Sequence, residues 1–389
     1  MPTIELAASA RRVPYSRIRE LAEIAMTMDG VLKLYFGESN IPTPQYIKDA
    51  AVEALAAGHT FYTENAGYPS LRLAIARKYG ELHGVDLDPL GQIVVTASGV
   101  QALNVGIRCV LDPGDEAIVL TPAWPNASSI VAMCSATPRE IPLCLAGDRY
   151  HVDFDAVERA VTPRTRLLVY TSPSNPLGWV ATGEDQDRIL DLCRRRGLWL
   201  MADEVYERLY YNGPVSPSIL RKCSREDAIL VPQSFSKSYC MTGWRLGWLV
   251  ARRDLARRAG ELNEFIVSHA PAMAQKAGET ALRDGEPAVR EMVERLRANR
   301  DLALAALRAM PGVTVPSPDG AFYLFPRIDG LRDSFDFCRR LLVEQKVGLA
   351  PGVAFGSGGE GSIRLCYAAD RTVLEPALDR LGRFLRAGA

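Results

Sequence analysis

A single lysine, Lys237, stands among small hydroxyl residues just after an apolar run of the sequence. Ser234 and Ser236 precede it, and Arg245 follows eight residues later between two tryptophans. A lysine at the end of a buried strand is partly desolvated, which lowers the pKa of its ammonium group and makes the amine a nucleophile for carbonyl carbons. The pattern therefore predicts amine chemistry at Lys237, close to groups that can hold an anion.

Two further apolar runs end in polar side chains. Asp203 closes the run that begins at Leu198, and Asn175 follows the run that ends at Thr171. A buried carboxylate is costly unless a cation or several donors satisfy it, and a protonated pyridine nitrogen is one such cation. Ligands of open α/β sheets bind at the carboxyl ends of the strands. We therefore expect Asn175, Asp203 and Lys237 to face one site.

A phosphate site is predicted where another apolar run passes through Ser98 and Gly99 directly into a helix. The unpaired N–H groups and the positive dipole end of a helix suit a phosphate. A Ser-Gly turn is weak evidence by itself, because many strand-to-helix turns contain one. Combined with Ser234, Ser236 and Arg245, it predicts a cradle for a phosphate group.

These residues must be positioned by a sheet. Most of the apolar runs lack clean alternation, as expected for strands that are buried on both faces. The predicted strands are Ile93–Ala97, Ala117–Thr121, Leu167–Thr171, Leu198–Ala202, Ile229–Gln233 and Leu246–Val250. Helices are predicted between them at Gly99–Leu111, Asn126–Ala136 and Glu184–Arg196. The alternation predicts an α/β fold with a largely parallel, doubly wound sheet.

The pattern changes after about residue 284, which predicts a second, smaller α+β domain. A long charged helix, Pro287–Met310, is followed by short strands and two further helices, predicted at Val313–Val315, Ala321–Phe325, Val347–Leu349, Ser362–Cys366, Ser334–Glu344 and Arg371–Arg386. The first 45 residues are expected to pack with this part across a cleft. We therefore predict a large domain over 46–283 and a small domain formed by 1–45, the N-terminal arm, and 284–389.

Composition excludes several classes of function. The 389 residues include 46 Lys or Arg and 46 Asp or Glu, and this balance argues against a nucleic-acid partner. The longest charge-free run, 117–138, contains three prolines and is not predicted to span a membrane. The first 16 residues contain no apolar stretch long enough for a signal peptide, and the eight cysteines show no metal-ligand or disulfide pattern, so we expect a cytoplasmic protein without a metal site.

The motifs together resemble the class I and II aminotransferases, which are fold-type-I pyridoxal-phosphate enzymes related to aspartate aminotransferase. The similarity covers nearly the whole chain, from 34–38 through 62–72 to 363–367. It implies that Lys237 binds the cofactor covalently and that Asp203 pairs with its pyridine nitrogen. Asn175 and Tyr206 would then hydrogen-bond its 3-oxygen, and Trp124 would stack on its ring. The implied phosphate ligands are Ser98, Gly99, Val100, Ser234, Ser236, Arg245 and, from the partner of a homodimer, Tyr62.

The resemblance also implies a substrate site. Arg364 matches the arginine that binds the α-carboxylate of the substrate, with Asn175 beside it and the backbone of Gly37 closing over it. A planar guanidinium binds a carboxylate through two parallel hydrogen bonds and so fixes the substrate relative to the cofactor ring. Tyr15 and Phe36 are expected at the mouth of the pocket, and contact of His269 with the substrate stays open.

The implied reaction moves the amino group of an L-α-amino acid to a 2-oxo acid in two half-reactions, with Lys237 as the general base, which predicts ping-pong kinetics. The sequence departs from the family pattern at Leu177, which makes the wall beside Asn175 more apolar. The stretch 265–273 lacks the arginine that one subgroup uses for dicarboxylic substrates.

Other functions were considered. A lyase, a decarboxylase or a cyclopropane-forming synthase of the same fold would share Lys237, Asp203 and Arg245. The sensor half of a transcription regulator would need a DNA-binding domain, for which about 36 residues before Gly37 leave no room. A dehydrogenase is disfavoured because no GxGxxG motif follows the first strand.

Overall fold

The computed structural model describes residues 4–387. The α-helices are α1 (Ala8–Arg11), α2 (Arg17–Met26), α3 (Gln45–Ala56), α4 (Pro69–His83), α5 (Gly99–Arg108), α6 (Asn126–Met133), α7 (Phe154–Ala160), α8 (Gly183–Arg196), α9 (Arg253–Glu264), α10 (Ala272–Asp284), α11 (Glu286–Arg308), α12 (Ser334–Gln345) and α13 (Arg371–Arg386). Short 3₁₀ turns are formed by Ile219–Arg221, Thr242–Trp244 and Gly352–Phe355.

The strands are β1 (Leu32–Lys33), β2 (Ile93–Thr96), β3 (Glu116–Thr121), β4 (Thr137–Pro142), β5 (Cys144–Ala146), β6 (Arg149–His151), β7 (Thr165–Thr171), β8 (Trp199–Asp203), β9 (Ile229–Ser234), β10 (Gly247–Ala251), β11 (Val313–Thr314), β12 (Tyr323–Leu324), β13 (Arg327–Ile328), β14 (Val347–Gly348), β15 (Ala350–Pro351) and β16 (Ile363–Cys366).

A seven-stranded sheet with the order β2-β10-β9-β8-β7-β3-β4 forms the centre of the α/β part. The pairs from β9 to β4 are all parallel, whereas β10 runs antiparallel to both of its neighbours. Every residue of β2, β3, β9 and β10 is buried, because helices cover both faces of the sheet. The predicted α/β fold with a largely parallel sheet is therefore confirmed.

The sheet brings separate chain segments to one edge. Strands β7, β8 and β9 end at Thr171, Asp203 and Ser234, and their carboxyl ends lie side by side because the strands are parallel. The antiparallel β10 starts at the same edge, where Gly247 is paired with Ser234. A residue just before β10 therefore lies beside residues that follow the parallel strands. This arrangement explains how Arg245 reaches the same edge.

Smaller sheets are formed by the later part of the chain. β12, β16 and β15 form an antiparallel sheet, and β11 pairs with β13. β1 pairs in parallel with β14, with Leu32 opposite Val347, so the N-terminal segment contacts the C-terminal third. Among residues 4–387, no helix combines the length and the apolar character needed to cross a membrane.

In the seven-stranded sheet the strand boundaries differ from the predicted ones by one or two residues, but β4 was not predicted. The short strands β1, β5, β6, β13 and β15 were not predicted either. The residues of β4 alternate between exposed and partly buried positions, and it contains Pro138 and Pro142. Proline is tolerated at a sheet edge because a missing N–H costs no ladder hydrogen bond there. β4 is indeed the last strand of the sheet. The predicted strand Ala321–Phe325 is also shorter, with only Tyr323 and Leu324 in ladder geometry.

Candidate active site

A cavity of about 710 Å³ lies at the carboxyl edge of the seven-stranded sheet. Its walls come from the sheet edge, from the start of α5 and from the N-terminal segment. The predicted site residues that line it are Gly37, Gly99, Val100, Trp124, Asn175, Asp203, Tyr206, Ser234, Ser236, Lys237 and Arg245. Tyr15 and Phe36 also line it, as expected from the sequence. Lys237 and Asp203 therefore share one cavity, which is the central requirement of the sequence interpretation.

Lys237 supplies an amine with an unusual pKa. Its Nζ donates a hydrogen bond to the backbone oxygen of Gly37 at 2.6 Å. Burial disfavours the charged ammonium and lowers the pKa of Lys237 to about 8. The side chain also borders a second cavity of about 650 Å³, lined in part by residues 38–43 and 271–274. The amine is therefore reachable and is much more often neutral at pH 7 than an ordinary lysine.

Asp203 ends β8 as a carboxylate without a close cation. Its Oδ1 accepts a hydrogen bond from the backbone N–H of Val205 at 3.2 Å. Within residues 4–387, its carboxylate makes no ion pair within 4 Å, and burial raises its pKa to about 7. A cationic ligand group beside this carboxylate would restore its ionised form. The side chain therefore fits the protonated ring nitrogen of pyridoxal phosphate.

The start of α5 forms an anion cradle. Ser98 caps the helix, with its Oγ accepting from the N–H of Gln101 at 3.2 Å, and it adopts a positive φ of 120°, which is rare for a residue with a side chain. In the described part of the chain, the N–H groups of Gly99 and Val100 have no hydrogen-bond acceptor. They belong to the first turn of the helix, where such groups are free to bind an anion.

Close packing places β10 against this helix. A Cβ atom at Gly247 would lie 2.6 Å from the backbone nitrogen of Gly99, so only glycine allows the strand to approach. The neighbouring Arg245 has a φ of 53°, and its Nη1 donates to the backbone oxygen of Thr242 at 2.6 Å. It makes no ion pair with a carboxylate of residues 4–387, and burial lowers its pKa.

Two serines complete the cradle. Ser234 and Ser236 lie with their hydroxyl oxygens 2.9 Å apart, and the Ser236 N–H donates to the Ser234 hydroxyl at 3.0 Å. An arginine without a carboxylate partner in the described chain, two hydroxyls and two N–H groups of the first helical turn form a donor set that suits a phosphate dianion. With Asp203 and Lys237 in the same cavity, the residues present fit pyridoxal phosphate at its phosphate, its ring nitrogen and its aldehyde.

Arg364 is completely buried, yet it lacks an anionic partner among residues 4–387. Its Nη1 donates to Asn175 Oδ1 at 3.0 Å, its Nη2 donates to the backbone oxygen of Tyr35, and its Nε has no partner in the described structure. Aromatic rings surround the guanidinium, with the centroid of Tyr323 at 4.6 Å and that of Trp124 at 5.7 Å. A buried, incompletely paired guanidinium suits a carboxylate ligand.

Some predicted residues lie outside the cavity wall. Ser98 uses its side chain as a helix cap, and Arg364 does not line the cavity itself but hydrogen-bonds Asn175, which does. Tyr62 is 89% exposed and does not reach the cavity of its own chain. Its ring packs edge-on against His269, with 5.6 Å between the centroids. The His269 Nδ1 lies 2.7 Å from the backbone oxygen of Ala270, so this nitrogen donates and His269 is bound within its own loop.

Sequence reasoning did not identify several lining residues, among them Ile18, Arg19 and Tyr323. Arg19 projects from α2 with its guanidinium 5.3 Å from the centroid of Phe36, and it offers a cation at the mouth of the cavity. Tyr323 hydrogen-bonds Tyr206, with 2.7 Å between their hydroxyl oxygens. In the sequence, Ile18 and Arg19 belong to an ordinary amphipathic helix, and Tyr323 belongs to an aromatic run typical of a core. No local signal separated them from structural residues.

Comparison with known proteins gives consistent matches. The sequence profile described as aminotransferase class I and II matches residues 30–381. The chain is 34% identical to aromatic-amino-acid aminotransferase 2 of Thermococcus litoralis, over 95% of this chain and 96% of that protein. It is also 34% identical to the aspartate aminotransferase of Pyrococcus horikoshii, over 95% and 94% of the two chains. The crystal structure of the aspartate aminotransferase of Thermotoga maritima superposes with a TM-score of 0.91 at 32% identity, covering 98% of this chain and 100% of that one.

Proposed function

We propose that this chain, which belongs to the class I and II aminotransferases, holds its cofactor through Lys237, Asp203 and the start of α5. Membership of the family makes the protein a pyridoxal-phosphate-dependent enzyme that moves an amino group from an amino acid to a 2-oxo acid. The roles of the individual residues rest on one observation. Lys237, Asp203, Arg245 and the unpaired N–H groups of α5 all face the same cavity.

The proposed roles of the chain follow from the donors and acceptors that it presents. Gly99, Val100, Ser234, Ser236 and Arg245 bind the phosphate, with Ser98 holding the helix start in place. Trp124 covers one face of the ring, and Asp203 keeps the ring nitrogen protonated. Tyr206 and Asn175 donate to the 3-oxygen through a hydroxyl and an amide N–H group. Arg364 and the backbone of Gly37 hold the substrate carboxylate.

When bound, pyridoxal phosphate offers an aldehyde carbon to amines and draws electrons away from the α-carbon of the amino acid. Lys237 would hold the cofactor covalently at rest, and its amine, when free, would lie beside the α-carbon of the amino acid. Its lowered pKa lets it accept the α-proton near neutral pH and return it on the cofactor side. Arg364 fixes the carboxylate, which aims the Cα–H bond at Lys237. Repeating the steps in reverse with a 2-oxo acid gives the expected ping-pong kinetics.

Replacing Arg364 with alanine is expected to lower kcat/KM for amino acids by roughly 10²-fold, since a bidentate carboxylate contact is lost. Cofactor content should be unchanged, because Arg364 contacts Asn175 and is not part of the phosphate cradle. The measurement is steady-state kinetics together with the absorbance of the bound cofactor. Arg364→Lys is the matched variant, since it keeps the charge and loses the planar fork. If the alanine variant loses cofactor instead, Arg364 is misassigned.

We also propose that the enzyme is a homodimer in which Tyr62 binds the phosphate of the partner subunit. Phe61, Tyr62 and Phe265 are 80%, 89% and 86% exposed, and the contact of Tyr62 with His269 joins their two segments into one apolar surface. Such a surface on a free monomer is unfavourable, and a second copy would cover it. Homodimers with two-fold symmetry are the commonest oligomers of soluble proteins.

Phe265→Asp is expected to convert the dimer to monomers and to weaken cofactor binding at least about tenfold, because a buried unpaired carboxylate opposes association. Sedimentation velocity gives the oligomeric state, and a titration of the cofactor gives the affinity. Val343→Asp, a change at another exposed apolar residue on α12, is the control and should remain dimeric. A monomeric wild-type enzyme with full cofactor affinity would contradict the role of Tyr62.

Two broader features of the protein are also proposed, its division into domains and its compartment. Pairing of β1 with β14 supports a small domain made of residues 1–45 and 284–389, next to a large domain over 46–283. All eight cysteines are unpaired in the structure, which supports a reducing compartment such as the cytoplasm.

A further inference from the structure

The hydroxyl of Tyr323 is placed between two parts of the active site. Tyr323 lies on β12, is fully buried in the protein and borders the cavity. Its Oη is 2.7 Å from the Oη of Tyr206. A Cβ atom built on Gly37 would collide with the same hydroxyl, so the Cα of Gly37 lies directly against it. The hydroxyl therefore touches both the tyrosine at the cofactor and the segment that closes over the substrate.

The groups around the Tyr323 hydroxyl favour Tyr323 as the donor in its hydrogen bond with Tyr206. Gly37 presents its Cα carbon to the Tyr323 hydroxyl and so offers no acceptor there. The carbonyl oxygen of Gly37 accepts a hydrogen bond from Lys237. Among residues 4–387, the only hydrogen-bond partner of the Tyr323 hydroxyl is the oxygen of Tyr206. A buried hydroxyl without an acceptor for its proton is costly. A hydrogen bond donated by Tyr323 to Tyr206 satisfies that proton inside the protein, and it leaves the proton of Tyr206 free to point into the cavity.

We propose that Tyr323 is a positioning residue that turns the Tyr206 hydroxyl proton toward the 3-oxygen of the bound cofactor. The inference rests on the proposed function, in which Tyr206 donates to that oxygen. Without Tyr323, the Tyr206 hydroxyl could rotate away from the cofactor. Tyr323 thus acts through Tyr206 and needs no contact with the reacting atoms.

The pKa directions agree with this assignment. Burial raises the pKa of both hydroxyls. The bond between them lowers the pKa of Tyr206 and adds to the rise at Tyr323. Burial is the largest cause at both residues, so both hydroxyls stay protonated at neutral pH and can act as donors.

The test uses the visible absorbance of the bound cofactor, which changes when the cofactor loses its proton. A donor at the 3-oxygen stabilises the anion, so its removal raises the pH midpoint of the change. Tyr206→Phe should raise the midpoint by roughly one pH unit, because the donor faces a charged group. Tyr323→Phe should raise it by roughly half a unit, since the Tyr206 hydroxyl is only misdirected.

The double variant makes the test specific. If Tyr323 acts only through Tyr206, Tyr206→Phe with Tyr323→Phe should show the same midpoint as Tyr206→Phe alone. Tyr211→Phe is the matched control, since Tyr211 and Tyr367 form another buried tyrosine pair at 2.9 Å and neither borders the cavity. This control should leave the midpoint unchanged.

Each outcome decides the question. A shift in Tyr206→Phe without one in Tyr323→Phe, or an additive double variant, overturns the role of Tyr323 and leaves the proposed function standing. No shift in Tyr206→Phe overturns the role of Tyr206 itself. Gly37→Ala is a second variant for the case that Tyr323→Phe does not fold, because it displaces the Tyr323 hydroxyl without removing it. It should raise the midpoint in the same direction, and an unchanged midpoint contradicts the proposal.

Discussion

Lys237→Ala should abolish transamination, with a fall in kcat of at least about 10⁴-fold, because one amine both binds the cofactor and carries the α-proton. Cofactor in this variant would be held only by the phosphate cradle, Asp203 and the ring contacts. It should therefore be lost on dialysis, and the absorbance of the covalent complex should be missing. The measurements are the spectrum of the reconstituted protein and the conversion of an amino acid in a single turnover.

Two controls separate the loss of an amine from general damage. Lys222→Ala removes a lysine whose Nζ pairs with Asp187 at 2.6 Å, away from the cavity, and it should keep full activity. Methylamine added to the Lys237→Ala enzyme should restore part of the rate, since the missing group is an amine base. An unchanged covalent spectrum in the variant would falsify the assignment of Lys237.

The environment of Lys237 also predicts a pH effect. Burial lowers its pKa to about 8, so roughly one tenth of the amine is neutral at pH 7, compared with about one in 3,000 for a lysine with the usual value. The cofactor-free protein should therefore react with pyridoxal phosphate faster as the pH rises, with the increase levelling off above about 8. A rate that keeps rising to pH 10 would show an unperturbed lysine.

Most of this active site was predictable because its residues follow buried strands. Apolar runs without alternation indicated β7, β8 and β9, and the parallel arrangement then placed Asn175, Asp203 and Lys237 at one edge. That step needs only the direction of neighbouring strands. The position of Arg245 required more, because β10 is antiparallel and reaches the same edge by its start. The position of Arg245 eight residues after Lys237, directly before a predicted strand, had nevertheless indicated that it shares this site.

The parts that sequence reasoning missed have a common physical cause. β4 is a partly exposed edge strand that contains prolines, so its sequence has no continuous apolar run that would predict a strand. Tyr323 comes from a different sheet, more than 80 residues after Lys237 in the chain, and it looks like a core aromatic until its hydroxyl partner is known. Arg19 shows its unpaired guanidinium only once α2 is placed at the cavity mouth. Side chains that act through tertiary contacts are not marked by any residue spacing in the local sequence.

Asp203→Asn should lower kcat/KM by roughly 10²- to 10³-fold, which corresponds to the loss of about 3–4 kcal/mol of transition-state stabilisation. An asparagine fills the same volume at the end of β8 but does not hold a proton on the ring nitrogen. The ring is then a weaker electron acceptor, so removal of the α-proton by Lys237 slows. Steady-state kinetics and the kinetic isotope effect of an α-deuterated amino acid are the measurements, and the isotope effect should increase.

Glu204→Gln is the matched control, because it changes the neighbouring carboxyl without changing the ring contact. Glu204 accepts from the Ser218 hydroxyl at 2.7 Å and from the N–H of Ile219 at 2.8 Å, away from the cavity lining. Burial raises its pKa to about 8, so it is mostly protonated at pH 7 and glutamine is a close mimic. Activity should stay within about twofold of the wild type. An equal loss in both variants would point to damage of the strand end.

A cofactor analogue tests the electrostatic cause directly. Pyridoxal phosphate methylated on the ring nitrogen has a permanent positive charge and needs no carboxylate to keep it. It should therefore restore much of the activity of the Asp203→Asn enzyme, while doing nothing for Lys237→Ala. If the analogue binds the Asp203→Asn enzyme and restores no activity, the Asp203 carboxylate positions the cofactor and does not act through its charge. In that case the raised pKa of Asp203 reflects burial alone, and the electron-withdrawing power of the ring must come from the other groups that line the cavity.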